Sequence, residues 1–175
     1  RKALRRAAKH VERALEADPE FGLARATRGT ILEQAGNGIA ARVAYGRAAA
    51  GDPGFTTPRY GLARVARKAG DNDALEAALL SVLEAGPWEY EAHQKLARHY
   101  LATGSLDLAL HHYERAVSLH DRDADLLYEA GDLFLQNGDV QKAEAWLTRA
   151  VRLAPGHADA HAARVVALAH AGRTA

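Results

Sequence analysis

Apolar residues fall at three- and four-residue spacing in short runs separated by single glycines, the pattern of helices with one buried face. Between residues 90 and 123, Leu96, Ala97, Tyr100 and Leu101 form one stripe that stops before Gly104. Beyond it, Leu106, Ala109, Leu110, Tyr113, Ala116 and Val117 form a second. No stretch alternates polar and apolar over a useful length, so the sequence predicts helices and no strands. A glycine between two such stripes is read as the residue past the end of the first helix, at a positive φ that a Cβ disfavours. The small residues Ala97, Ala109 and Ala116 predict two antiparallel helices in close approach, with Tyr100 and Tyr113 filling the space between them.

This unit recurs. Gly36, Gly70, Gly104, Gly138 and Gly172 stand 34 residues apart. Pro19, Pro53, Pro87 and Pro155 keep the same register, with Asp121 in the vacant slot, and each proline is placed where it stops a second helix. Two alanine-rich series, through Ala41, Leu75, Ala109 and Ala143 and through Ala48, Val82, Ala116 and Ala150, also hold the period. Such self-similarity is the signature of a repeat architecture.

The residues resemble the tetratricopeptide repeat, a 34-residue helix-turn-helix unit. In the unit 124–157 the similarity rests on Leu127, Gly131, Phe134, Ala143, Ala150 and Pro155, and in 90–123 on Leu96, Ala97, Tyr100, Ala109, Tyr113 and Ala116. Gly29, Ala41, Tyr45, Ala48 and Pro53 carry it in 22–55. The unit 56–89 departs furthest, with Leu75 and Val82 where alanines are expected and Ala66 in an aromatic slot. The resemblance implies an all-α fold, a right-handed superhelical solenoid of antiparallel helix pairs. Residues 1–175 are expected to form a single array: a lone second helix over 1–21, full repeats over 22–55, 56–89, 90–123 and 124–157, and a lone first helix over 158–175.

Composition narrows the function classes. The 175 residues hold no cysteine, which excludes disulfides, thiol nucleophiles and cysteine-based zinc sites. Twenty-three Lys and Arg against 22 Asp and Glu give a net charge of +1, so no overall field demands nucleic acid or anionic lipid. No apolar run reaches the length of a membrane span. The excess of arginine over lysine and the abundance of alanine suit a GC-rich bacterial source. The chain starts at Arg1 without Met and without a signal-peptide pattern, and Val165, Val166 and Leu168 on the last helix lack a following helix to cover them. It is therefore expected to be a fragment of a longer protein, with self-association through open solenoid ends as a further expectation.

Enzyme signals fail on context. Gly36-Asn37-Gly38-Ile39-Ala40-Ala41 spells a dinucleotide fingerprint, but that site needs a preceding strand and here a helical stripe precedes it. No cofactor is expected. His157 and His161 stand four apart, yet no third ligand follows at metal spacing, and Asp159 serves equally well as a helix cap, so no metal is expected. His93 and His161 occupy a packing slot of the family's unit, which predicts partly buried imidazoles. The first helix carries Lys2, Arg5, Arg6, Lys9 and Arg13 opposite Leu4, Ala7, Val11 and Ala14, and is read as a solvated outer face.

In the family, first helices line a concave groove. The resemblance places Tyr60, Arg64, Arg67, Lys68, Gln94, Arg98, Tyr128 and Asp132 on that groove. A partner segment is expected there, with an acidic stretch against Arg64, Lys68 and Arg98, acidic groove residues beyond, and the two tyrosines as anchors. The lysine-asparagine clamp of carboxylate-binding members is not matched, since Ala26, Thr30 and Gly61 fill its positions in one frame and Tyr60, Arg64 and Lys95 in the next. The expected function is a protein-protein interaction module without catalysis. The alternatives are a spacer or self-associating scaffold within a larger secretion or polysaccharide-export protein, and a regulatory domain attached to an enzyme or transcription factor.

Overall fold

A computed structural model describes residues 2–172. Arg1 and residues 173–175, parts of the expected terminal segments, lie outside the described residues. The described chain is ten α-helices, with no strand among them: α1 (Lys2–Ala17), α2 (Gly22–Gln34), α3 (Gly38–Gly51), α4 (Thr56–Ala69), α5 (Asn72–Ala85), α6 (Tyr90–Ala102), α7 (Leu106–Leu119), α8 (Ala124–Gln136), α9 (Val140–Leu153) and α10 (Ala158–His170). Together they form a helical solenoid of repeats, which divides into a first compact unit over Arg1–Pro87 and a second over Trp88–Ala175.

One device builds each helix pair. Gly36, Gly70, Gly104 and Gly138 all take φ between +71° and +85°. The residue after each glycine then donates its N–H five residues back, as Asn37 to the Leu32 carbonyl (2.9 Å) and Asp139 to the Phe134 carbonyl (2.9 Å). In three of these four turns that same residue also caps the next helix with its side chain. Asn37, Asp71 and Asp139 accept side-chain hydrogen bonds from the N–H groups of Ala40, Ala74 and Lys142. Orphan groups at one helix end and the next helix start are thus satisfied within two residues, which fixes a tight antiparallel turn.

The cores follow from small residues on facing helices. In the first unit Ala41, Tyr45 and Val65 pack with Leu32 and Leu62. The Tyr45 ring, 1% exposed, lies between the backbones of Gly29 on α2 and Gly61 on α4. In the second unit Phe134, Leu135, Ala143, Leu147, Ala163 and Ala167 form the cluster, joined by Trp146 and Tyr128. Tyr100 and Tyr113 are buried between α6 and α7, with Ala97, Ala109 and Ala116 fully enclosed beside them. In the divergent unit Ala66 and Val82 are buried while Leu75 is only half-buried, so the added volume of Leu75 is turned partly outward.

Three expectations change. Leu168 is buried rather than uncovered, and only Val165 and Val166 of that trio stand exposed. His161 is exposed, its Nε2 2.9 Å from the Pro155 carbonyl, whereas His93 in the equivalent slot of α6 is buried as expected. His157 rather than Asp159 caps α10, accepting the Ala160 N–H at 3.2 Å, so it precedes the helix and shares no helical face with His161.

Candidate functional site

The residues assigned to the groove sit on first helices, and the two units are built alike around a tyrosine, a glutamate and an arginine. In the first unit the Arg64 guanidinium on α4 donates to the Glu33 carboxylate on α2 through Nε (3.3 Å) and Nη2 (2.9 Å). Lys68, one turn along α4, donates to the other oxygen at 2.8 Å. The Tyr45 hydroxyl donates to Glu33 at 3.0 Å, and Arg64 Nη2 lies 3.0 Å from it. Burial by itself raises the Glu33 carboxyl, but the hydrogen bonds from Arg64, Lys68 and Tyr45 together outweigh it and hold the group at about 2.

In the second unit Arg98 on α6 grips Glu129 on α8, with Nε to Oε2 at 2.8 Å and Nη2 to Oε1 closing the fork. Gln94 donates to Glu129 at 3.3 Å and the Tyr113 hydroxyl donates to it at 3.1 Å. Burial first, and then the Glu129 charge, push the Tyr113 phenol well above its usual value, so it remains a donor.

The spacing explains both. Glu33 meets partners 31 and 35 residues later, and Glu129 meets partners 31 and 35 residues earlier. With a 34-residue unit, a side chain on one first helix falls between two positions one helical turn apart on the next. The second helix α9 pairs at a different offset of 28, Lys142 with Glu114 on α7 and Arg149 with Asp121 in the turn that follows α7.

Arg64, Lys68 and Arg98 already hold carboxylates of their own unit, and Gln94, only 8% exposed, is part of that packing rather than an open lining residue. Arg64 and Lys68 nonetheless keep 43% and 63% of their side chains exposed, and Arg67 beside them is exposed. The α2–α4 face thus carries three cations against the single Glu33 carboxylate. Tyr60 is half-buried on the same helix. On the second unit Tyr128 is half-buried with its ring 4.9 Å from that of His157, whose Nε2 lies 3.3 Å from the exposed Asp125 carboxylate. Asp132 accepts a hydrogen bond from Gln136 at 2.7 Å and is half-buried. Glu129, the acceptor that organises this unit, was missed from sequence; opposite charges 31 residues apart on first helices would have found it.

Among the described residues no group of three or more His, Asp or Glu is placed to hold a metal ion, and no helix is long and apolar enough to cross a membrane.

The family description "Tetratricopeptide repeat" matches residues 4–54 and 94–158. Among solved structures the chain is similar to YrrB, described as a TPR protein with an unusual peptide-binding site, at 22% identity and a TM-score of 0.79, covering 94% of this chain and 85% of that one. It is similar to PilF of Pseudomonas aeruginosa at 16% identity and a TM-score of 0.76, covering 97% and 82%. It is also similar to MamA at 19% identity and a TM-score of 0.74, covering 88% and 84%. No curated protein sequence matches the chain.

Proposed function

The chain belongs to the tetratricopeptide repeat family, a family of protein-interaction scaffolds, and we propose that the exposed first-helix faces of its two units hold a segment of a partner protein. The observation that carries this reading is the pair of tyrosine-glutamate-arginine networks. Each holds a half-exposed guanidinium in one orientation by a forked ion pair, so its remaining donors are preorganised for a ligand. On the first unit a partner carboxylate meets Arg67 and the outward sides of Arg64 and Lys68, with Tyr60 as a flat neighbour. On the second unit a partner cation or amide meets Asp125 and Asp132 beside Tyr128.

Because Arg64 and Arg98 also neutralise their own glutamates, reversing them would disturb folding along with binding. Arg67→Glu with Tyr60→Ala, and separately Asp132→Lys, probe the faces without uncovering a carboxylate. An affinity capture from source lysate with these baits beside wild type tests the proposal. A protein retained by wild type and lost by either variant supports it, and equal retention by all three baits contradicts it.

The spacer alternative draws on one observation, that Arg64, Lys68 and Arg98 are already satisfied internally. Retention of nothing by any bait would favour it.

A further inference from the structure

The first unit has a second feature that its packing does not use. The 14 residues of α3 hold no carboxylate, and the charged groups of its solvent face are Arg42 and Arg47, both exposed. Ile39 is 83% exposed and Val43 51% exposed, one turn apart on the same face. An ordinary surface helix turns an apolar stripe inward and a polar face outward. Here the outward side also carries an apolar stripe, Ile39 and Val43, flanked by Arg42 and Arg47.

Beside that face lies an open cleft of about 550 Å³ between α1, α2 and α3. Leu15, Leu32 and Val43 line its apolar part, and its charged lining is Arg25, Arg28 and Arg47. Arg42 lines a second hollow of about 430 Å³ with Ile39 on the other side of α3. The carboxylates near the first cleft are peripheral. Glu20, 78% exposed, pairs with Arg25, and Glu12, 52% exposed, pairs with Arg28 at 3.4 Å. Exposed pairs of this kind contribute little and exchange readily for another carboxylate.

We propose that the outer face of α3 and the arginine-lined cleft beside it form a docking site for an acidic amphipathic helix. Its apolar side chains lie against Val43 and Ile39 and enter the cleft between Leu15 and Leu32, removing exposed apolar surface from water. Its flanking glutamates or aspartates pair with Arg28, Arg42 and Arg47, for which the forked guanidinium is the suitable partner. Charge decides the class of occupant: a basic or neutral helix would leave these guanidinium groups without carboxylates at the rim of an apolar contact. This site is centred on α3, a second helix; it uses neither Tyr60 nor Arg67 of the first-helix face, although the hollow beside Arg42 is also lined by Glu33 and Lys68.

The test uses the full chain and a fluorescein-labelled 15-residue helical peptide of glutamate, leucine and alanine with leucines at i, i+4 and i+7, beside a scrambled peptide of the same composition. Anisotropy titration is expected to show binding of the patterned peptide and at least about tenfold weaker binding of the scramble. Val43→Asp and Arg47→Glu, both at exposed positions, are each expected to weaken the patterned peptide by about tenfold or more with an unchanged melting temperature. Tyr60→Ala with Arg67→Glu should leave it unaltered. Equal binding of both peptides, no binding of either, or loss through the Tyr60 and Arg67 substitutions instead would overturn the proposal. That last outcome would move the acidic ligand to the first-helix face and leave the earlier reading standing.

Discussion

Tyr45 offers the sharpest test of how these repeats are packed. A Cβ added at Gly61 would stand 2.6 Å from Tyr45 Cε1 and Cζ, and one added at Gly29 would stand 2.6 Å from Cδ1 and Cε1. Both lie about an ångström inside ordinary van der Waals contact. The ring has no retreat: a glycine backbone bounds it on each side, and its hydroxyl is tied to Glu33 at 3.0 Å and to Thr30 at 3.1 Å. Overpacking of this sort costs about 1–3 kcal/mol. Against it stands a gain of about 1 kcal/mol from replacing a mid-helix glycine by alanine. The balance predicts that Gly61→Ala destabilises by up to about 2 kcal/mol, a fall of up to about 8 °C in a domain of this size. In a Tyr45→Val background the obstructing ring atoms are gone, and the same substitution is expected to stabilise by about 1 kcal/mol through helix propensity alone. Thermal and urea unfolding followed by circular dichroism on the four chains of this cycle measures the change of sign. If Gly61→Ala melts at or above wild type while Tyr45 is present, the ring does not occupy the gap between these helices.

Further consequences follow from the same contacts. Gly131→Leu is expected to cost about 1–3 kcal/mol, since even a Cβ there would stand 2.8 Å from Leu147 Cγ; an unchanged melting curve would refute the α8–α9 contact. Glu33 has its folded-state carboxyl lowered from 4.5 to about 2, so its stabilisation is full above pH 4.5 and is lost as pH falls towards 2. With Arg64 and Lys68 43% and 63% exposed, solvent screening reduces its worth to about 1 kcal/mol, and Glu33→Gln should remove that part of the acid sensitivity in unfolding curves measured between pH 5 and 2. Asp139→Ala removes the cap that accepts the Lys142 N–H and is expected to cost about 1 kcal/mol, whereas Ser105→Ala, whose side chain makes no capping bond, should cost much less by the same unfolding assay.

Much of the fold was legible because it is written in positions that physics leaves little choice about. The glycines at 34-residue intervals mark the positive φ of each turn, and the alanines at fixed offsets mark where helices touch. The functional face was read less well, for a definite reason. A helical wheel places Arg64 and Arg98 on the outer side of their own helices, but does not say what the neighbouring first helix, α2 before one and α8 after the other, places opposite them. That depends on the stagger between units, and it converts Glu33 and Glu129 from surface charges into the acceptors around which each face is ordered. Likewise the start of α10 at Ala158 rather than a residue earlier decides that His157 is a cap and not a member of the helix. A shift of one residue at a helix terminus changes a side chain's role while leaving the periodicity intact.

The central claim is that a partner segment lies on the first-helix faces. The most direct measurement selects binders from a displayed peptide library on the intact chain and maps the best one by amide chemical-shift changes in the isotope-labelled protein. The account predicts shifts centred on Tyr60, Arg67 and Lys68 of α4, on Tyr128 and Asp132 of α8, or on both, abolished by Tyr60→Ala with Arg67→Glu or by Asp132→Lys. Selected peptides whose shifts fall on neither set and persist in both variants would contradict it.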